Sequence, residues 1–87
     1  MARSYSATIT TLEKEIFVGE VISINIPGRE GYMDVLLDHT AIITSLKEGV
    51  VRFTSHDGTK HTYRITGGVF EMYQNHATLL IDLLCTL

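Results

Sequence analysis

Four histidines, His39, His56, His61 and His76, are the side chains in this sequence best suited to metal chemistry. A structural zinc site draws paired ligands at short, fixed spacing, usually with cysteine thiolates among them. Only His56 and His61 stand close together, and they straddle Asp57-Gly58, a pair that marks a tight hairpin turn. They read as exposed hairpin histidines, and no metal is expected. A hydrolytic centre needs a nucleophile held against an oriented base. Ser4, Ser6, Ser23, Ser45 and Ser55 lack any nucleophile-elbow context, and hydroxyl residues here mostly occupy the polar side of alternating segments. Cys85 stands third from the end, where nothing is expected to position it. Glu13 and Glu15 flank Lys14 in a solvated turn and do not make a catalytic carboxylate pair. Gly28 and Gly31, and Gly67 and Gly68, follow no phosphate-loop pattern and open no helix, so they read as turn and bulge glycines. No catalytic residue and no cofactor is expected.

The elements that would have to position such residues are small. At 87 residues the chain is a single domain, residues 1–87. A chain of this size buries roughly 60% of its unfolded surface, which leaves room for a core but none for a deep, water-excluding active site. A hydrophobic fraction of 45% and a charged fraction of 20% exclude disorder. Tryptophan is absent and aromatics are 8%, so the core rests on aliphatic side chains. The net charge is -3, and the seven basic residues are spread singly along the chain, which argues against nucleic-acid binding. The single cysteine forms no internal disulfide and suits a reducing compartment. No apolar run resembles a secretion signal or reaches the ~20 residues of a membrane span, so a membrane is reached only through a partner.

The dominant period is two. Tyr5, Ala7 and Ile9 alternate with Ser6, Thr8 and Thr10; Ile22, Ile24 and Ile26 point one way, and Ser23 and Asn25 the other. Gly19 interrupts this second segment, where a long strand bends or switches sheets. Pro27-Gly28 opens an exposed turn through Gly31. Residues 32–46 read as two short strands around a loop at Asp38-His39-Thr40. Val51 and Phe53, then Tyr63 and Ile65, flank Asp57-Gly58 as a type I′ hairpin. Gly67-Gly68 breaks the pattern, and a second hairpin turns at Gln74-Asn75. These segments predict an all-β fold, a two-sheet β-sandwich of about ten short strands, without a helical domain.

With the segments placed, a run of motifs resembles the epsilon subunits of bacterial and chloroplast F-type ATP synthases. Glu15-Ile16-Phe17-Val18-Gly19-Glu20-Val21 is similar to the family's "xxFxGxV" opening. The Ile26-Pro27-Gly28-Arg29-Glu30-Gly31 string resembles its "xxGxxGELGIxPGH" loop, and His39-Thr40-Ala41-Ile42-Ile43 its "HAPLL". Leu46-Lys47-Glu48-Gly49-Val50-Val51-Arg52 corresponds to "LxPGxVRI", Asp57-Gly58 to the "DG" hairpin, and Gly67-Gly68-Val69-Phe70-Glu71-Met72 to "GGxxEV". Ala77-Thr78-Leu79-Leu80-Ile81-Asp82 resembles "VTVLAD". The fragments follow in order, with no sizeable gap, over almost the whole chain.

The resemblance implies a sandwich of two five-stranded sheets and a non-catalytic rotor-stalk subunit that links the gamma subunit to the membrane c-ring. It places the protein peripherally on the cytoplasmic side of a bacterial inner membrane, touching the membrane only through the complex. It implies a c-ring contact at Arg29, Glu30, Gly31 and Tyr32, and a gamma contact at His39, Thr40 and Thr44. Gly31-Tyr32-Met33-Asp34 stands where the family has Gly-Glu-Leu-Gly, so Tyr32 is expected to pack or hydrogen-bond where a glutamate would pair charge. Leu37-Asp38-His39-Thr40-Ala41 also departs from the family's Pro-Gly before the histidine and lacks the proline after it. The family's C-terminal helical hairpin has no counterpart here, so neither self-inhibition nor ATP sensing is expected. Leu79 and Ile81 are expected in the core, while Leu83, Leu84 and Leu87 either fray or dock against gamma or the sandwich surface. Two rival readings are a small ligand-binding β-barrel, with Tyr32, Phe53, Tyr63 and Phe70 as stacking platforms, and an unrelated β-sandwich adaptor.

Overall fold

Alternation of apolar and polar residues becomes alternation of buried and exposed ones along almost every strand. The computed structural model describes residues 3–87, which form seven strands and no helix. They are β1 (Tyr5–Thr10), β2 (Glu15–Gly28), β3 (Gly31–Val35), β4 (Ile42–Leu46), β5 (Gly49–Ser55), β6 (Lys60–Tyr73) and β7 (His76–Thr86). All paired strands are antiparallel except β1 and β7, which run parallel.

Three strands serve both layers of the sandwich. The first layer runs β3, the second half of β2, β5, the first half of β6 and the end of β7. In the second layer the order is the first half of β2, β1, the start of β7, the second half of β6 and β4. Counted layer by layer, the seven strands supply the two sets of five that the sequence suggests. The count differs from ten separate strands because the breaks at Gly19 and Gly67-Gly68 lie inside continuous strands. The register shifts fall near the crossings, between Val21 and Ser23 in β2 and between Ile65 and Gly67 in β6. A bulge adds twist and bends the strand, which is what a chain needs to leave one layer for the other.

The bulge in β2 also changes which residues face inward. Ile22 does not join Ile24 and Ile26 in the core: it is half-buried, and Val21 is buried in its place. An extra residue between Val21 and Ser23 resets the two-residue alternation there. Elsewhere the core follows the pattern, with Tyr5, Ala7 and Ile9 meeting Val51, Phe53, Ile65, Phe70, Met72, Leu79 and Ile81. Each large apolar side chain contributes roughly 1.5–3 kcal/mol. The ion pair of Arg3 and Asp38 is solvent-exposed and contributes about 0–1 kcal/mol, so apolar burial decides the stability. Tyr5 is the polar exception inside. Its hydroxyl donates to the Val35 carbonyl at 2.6 Å, and burial pushes the phenol pKa up. Among the described residues no buried side-chain polar atom lacks a partner.

Of the two hairpin turns, the first departs from the expected type I′ geometry. At Asp57-Gly58 only Gly58 has a positive φ, 89°. The Gly58 N–H donates to the Ser55 carbonyl, and the Asp57 carboxylate accepts from the Ser55 hydroxyl and the Thr59 N–H. The result is a longer turn with a bulged glycine in place of a type I′ pair. Gln74 and Asn75, with φ of 47° and 59°, form the two-residue turn with both central residues left-handed. The end of the chain does not fray: β7 continues along β6 to Thr86, and the Leu87 N–H donates to the Thr62 carbonyl at 2.9 Å. Cys85 is correspondingly held, exposed, opposite Arg64.

Two predictions follow from these constraints. Gly68 has φ 156°, and a Cβ there would meet the Leu80 carbonyl oxygen and sit 3.0 Å from the Ile81 Cα. Gly68→Ala should cost about 2–4 kcal/mol in denaturant unfolding, because rigid backbone of β7 must yield. The Ser55 hydroxyl and the Thr59 N–H lower the Asp57 pKa to about 2. A carboxyl depressed on folding contributes stability above its unfolded pKa and loses it as pH falls through the folded one. Thermal unfolding followed from about pH 4 down to about 2 should lose stability, and Asp57→Asn should flatten that decline.

Candidate functional site

The turn between β2 and β3 is built by register. Gly28 pairs with Gly31, leaving Arg29 and Glu30 as exposed turn residues. Tyr32 follows opposite Pro27 and leans over the start of β5, where its hydroxyl accepts a hydrogen bond from the Val50 N–H at 3.0 Å. Gly49 permits this approach, since a Cβ there would lie 2.6 Å from the Tyr32 oxygen and 2.9 Å from the Pro27 Cβ. The tyrosine thus both packs and hydrogen-bonds, while 56% of it stays exposed. With Arg29, Glu30, Gly31, Met33, Ile42 and Thr44 it lines an open depression of about 350 Å³.

The structure therefore brings Arg29, Glu30, Gly31 and Tyr32 together with Thr44, and sets His39 and Thr40 apart from them. The latter two lie in the loop between β3 and β4. His39 donates its N–H to the Leu36 carbonyl, and its Nδ1 lies 2.8 Å from the Thr40 carbonyl oxygen. The loop is held through Asp38, which has φ 65°. Its N–H donates to the Asn75 side-chain oxygen, its carboxylate accepts from the Asn75 amide, and Arg3 closes an ion pair at 3.0 Å. The Asn75 hydrogen bond, and then the Arg3 charge, hold the Asp38 carboxyl below its ordinary pKa. This clamp ties the β3–β4 loop to the β6–β7 turn through Asn75.

The outward face of the second layer carries a separate set of exposed apolar side chains. Ile43 lies opposite Glu71, and Val69 opposite Leu80; Tyr73 stands at the end of the same strand. Ile43 is 71% exposed, and Val18, Tyr73, Val69 and Leu80 are exposed with it. Among them stand Ser6, Thr8, Thr10 and Thr78, and the strand segments of this layer contain no lysine or arginine. A sheet face without basic residues, carrying several apolar side chains beside the Glu20 and Glu71 carboxylates, is suited to protein contact. The contact expected from the resemblance is His39, Thr40 and Thr44; it does not include Ile43, Val69 or Tyr73. Their signal was apolar residues at outward positions of the alternation.

The histidines do not assemble. His56 is exposed as expected, but His61 is half-buried and stacks on Phe53 with ring centroids 4.5 Å apart. The inward phase of Tyr63 and Ile65 carries His61 inside with them. No group of metal-capable side chains converges among the described residues. The stacking platform of the barrel reading is likewise missing: Phe53 and Phe70 are buried, and Tyr63 is half-buried against the core.

Fold and surface together define a small β-sandwich contact domain. Residues 4–84 match the family model for the ATP synthase Delta/Epsilon chain β-sandwich domain, and the chain belongs to that family. It is 37% identical over 78 residues to an ATP synthase epsilon chain of Protochlamydia amoebophila (strain UWE25), an overlap covering 90% of this chain and 53% of that relative. The chain spans about half the length of this curated relative. Its fold is shared with a chain of the Euglena gracilis mitochondrial ATP synthase (OSCP/F1/c-ring), at TM-score 0.86 and 24% identity, covering 94% of this chain and 53% of that one. A chain of the Tetrahymena thermophila mitochondrial ATP synthase central stalk and c-ring superposes at TM-score 0.76 and 17% identity, covering 92% and 65%.

Tyr32→Phe removes the acceptor of the Val50 N–H and should cost about 1–2 kcal/mol. That corresponds to a melting temperature lowered by roughly 4–16 °C, readable by circular dichroism. An unchanged melting temperature would show that water replaces the phenol oxygen.

Proposed function

We propose that this domain is the contact domain of a rotor-stalk epsilon subunit in a proton-translocating F-type ATP synthase. In this reading it joins the gamma subunit to the c-ring, helps couple proton flow to ATP synthesis and catalyses nothing itself. The family match over residues 4–84 carries the reading. The c-ring contact is assigned to Arg29, Glu30, Gly31 and Tyr32, whose turn projects two exposed charges of opposite sign beside a half-open depression. Such a turn suits short polar loops, which it can engage through both charges and through the free phenol donor. The gamma contact is assigned to His39, Thr40 and Thr44, with Ile43 and Tyr73 as a further patch on the outward side of β4 and β6, the opposite side of β4 from Thr44. The working place of such a complex is the cytoplasmic side of a bacterial inner membrane, reached peripherally through its partners.

Co-purification with gamma and the c-ring tests this directly. Ile43→Asp should weaken gamma capture by about 1–3 kcal/mol and leave the melting temperature nearly unchanged, because the side chain is exposed. Reversing both charges at Arg29 and Glu30 should weaken c-ring retention and spare gamma. Failure of the wild-type domain to bind gamma under native conditions would remove the reading.

A further inference from the structure

The basic residues are scattered in sequence, yet the fold gathers three of them on one surface. Arg52 on β5 lies between Asn25 on β2 and Thr62 on β6, directly across the ladder. Lys60 stands opposite Thr54, and Arg64 opposite Val50. Both are thus diagonal neighbours of Arg52 on the outward face of the first layer, about 7–8 Å away by sheet geometry. All three are exposed. Among the described residues the only ion pair is that of Arg3 and Asp38, so no carboxylate is paired with any of the three. Asp34, the one carboxylate on the first-layer strand segments, lies beyond Asn25 and accepts from its amide at 2.8 Å. Like charges at this spacing oppose one another in the free domain.

Beside Arg52 and Lys60 the surface is slightly hollow. Ser23, Asn25, Thr54 and Thr62, with parts of Phe53 and His61, line a depression of about 190 Å³ with them. It offers hydroxyl and amide groups to a partner's backbone alongside the cationic heads. Leu87 stands at its edge, bonded to Thr62, but none of the exposed leucines of the chain end lines it, and a single edge leucine is a small wedge for a lipid surface. Three cations, with the Asp34 carboxylate beyond Asn25, make too short a basic track for a long polyanion such as nucleic acid. We propose that the outward face of the first layer, centred on Arg52, is a docking surface for a carboxylate-rich polypeptide segment. It is distinct from the contacts assigned to residues 29–32 and to β4, and it does not depend on them.

The test titrates the isotope-labelled chain with decaglutamate, and separately with phosphatidylglycerol vesicles and with inorganic phosphate, following backbone amide shifts. The expected result is that decaglutamate moves the amides of Asn25, Arg52, Thr54, Thr62 and Arg64 as one group, and that added salt reverses the change. Arg52→Glu, and independently Lys60→Glu, should weaken this binding about tenfold. The melting temperature of the free Arg52→Gln chain should hold or rise, which separates a binding role from a structural one. Shifts spread evenly over the surface, equal affinity in the charge-reversed variants, or binding to vesicles or phosphate but not to the peptide would each overturn the proposal.

Discussion

Three strands of this domain belong to both of its layers, and everything else depends on their crossing without breaking the hydrogen-bond ladder. β6 makes the tightest passage. At Gly68 it has Leu46 of β4 on one side and Ile81 of β7 on the other, and the β7 backbone comes too close for any side chain. Because pairing continues through that corner, the two halves of β6 hold the layers in one register. The apolar sides of both then face each other over Phe70, Ile65 and Leu79. A slip of one residue would turn that set outward, so the close approach specifies the core as much as it stabilises it.

A core fixed in this way leaves two outer surfaces with different chemistry. The second layer presents threonines, serines and apolar side chains, with Glu20 on β2 and Glu71 on β6 among its exposed carboxylates. The first layer presents Arg52, Lys60 and Arg64. Between them, at one rim, the turn through Arg29 and Glu30 stands on a base formed by Pro27, Gly49 and the Tyr32 hydroxyl. The Tyr32 ring ties that turn to β5 through the Val50 N–H. The rim thus gains a backbone hydrogen bond in a domain too small to lose many, while its two charges remain free for a partner.

Period-two alternation made the strands, the inward residues of β1, β5 and β7 and the two hairpins legible from the residues alone. The ordered motifs made the family legible. What stayed hidden came from effects outside local pattern. A bulge resets the phase at Ile22, and nothing in the string of isoleucines announces it. Asp57-Gly58 has the composition of a type I′ turn, but the Ser55 hydroxyl captures the aspartate and favours a longer one. His61 reads as exposed because it flanks the Asp57-Gly58 turn, yet its phase in β6 places it against Phe53. Of the candidate contacts, the turn at residues 29–32 was legible as a turn. Its meeting with Thr44 was not, because that depends on the pairing of Gly28 with Leu46 across the two layers. The gathering of Arg52, Lys60 and Arg64 likewise exists only in the register.

The central claim is that a rigid, closed core carries its partners on outer surfaces and changes little when they bind. Hydrogen exchange of the domain, free and then assembled with gamma and the c-ring of an F-type ATP synthase, tests this most directly. Added protection at residues 29–32 and along β4, with unchanged exchange in the central stretches of β1, β5 and β7, is the predicted result. Altered exchange throughout the core, or no protection at those surfaces in an intact complex, would contradict it.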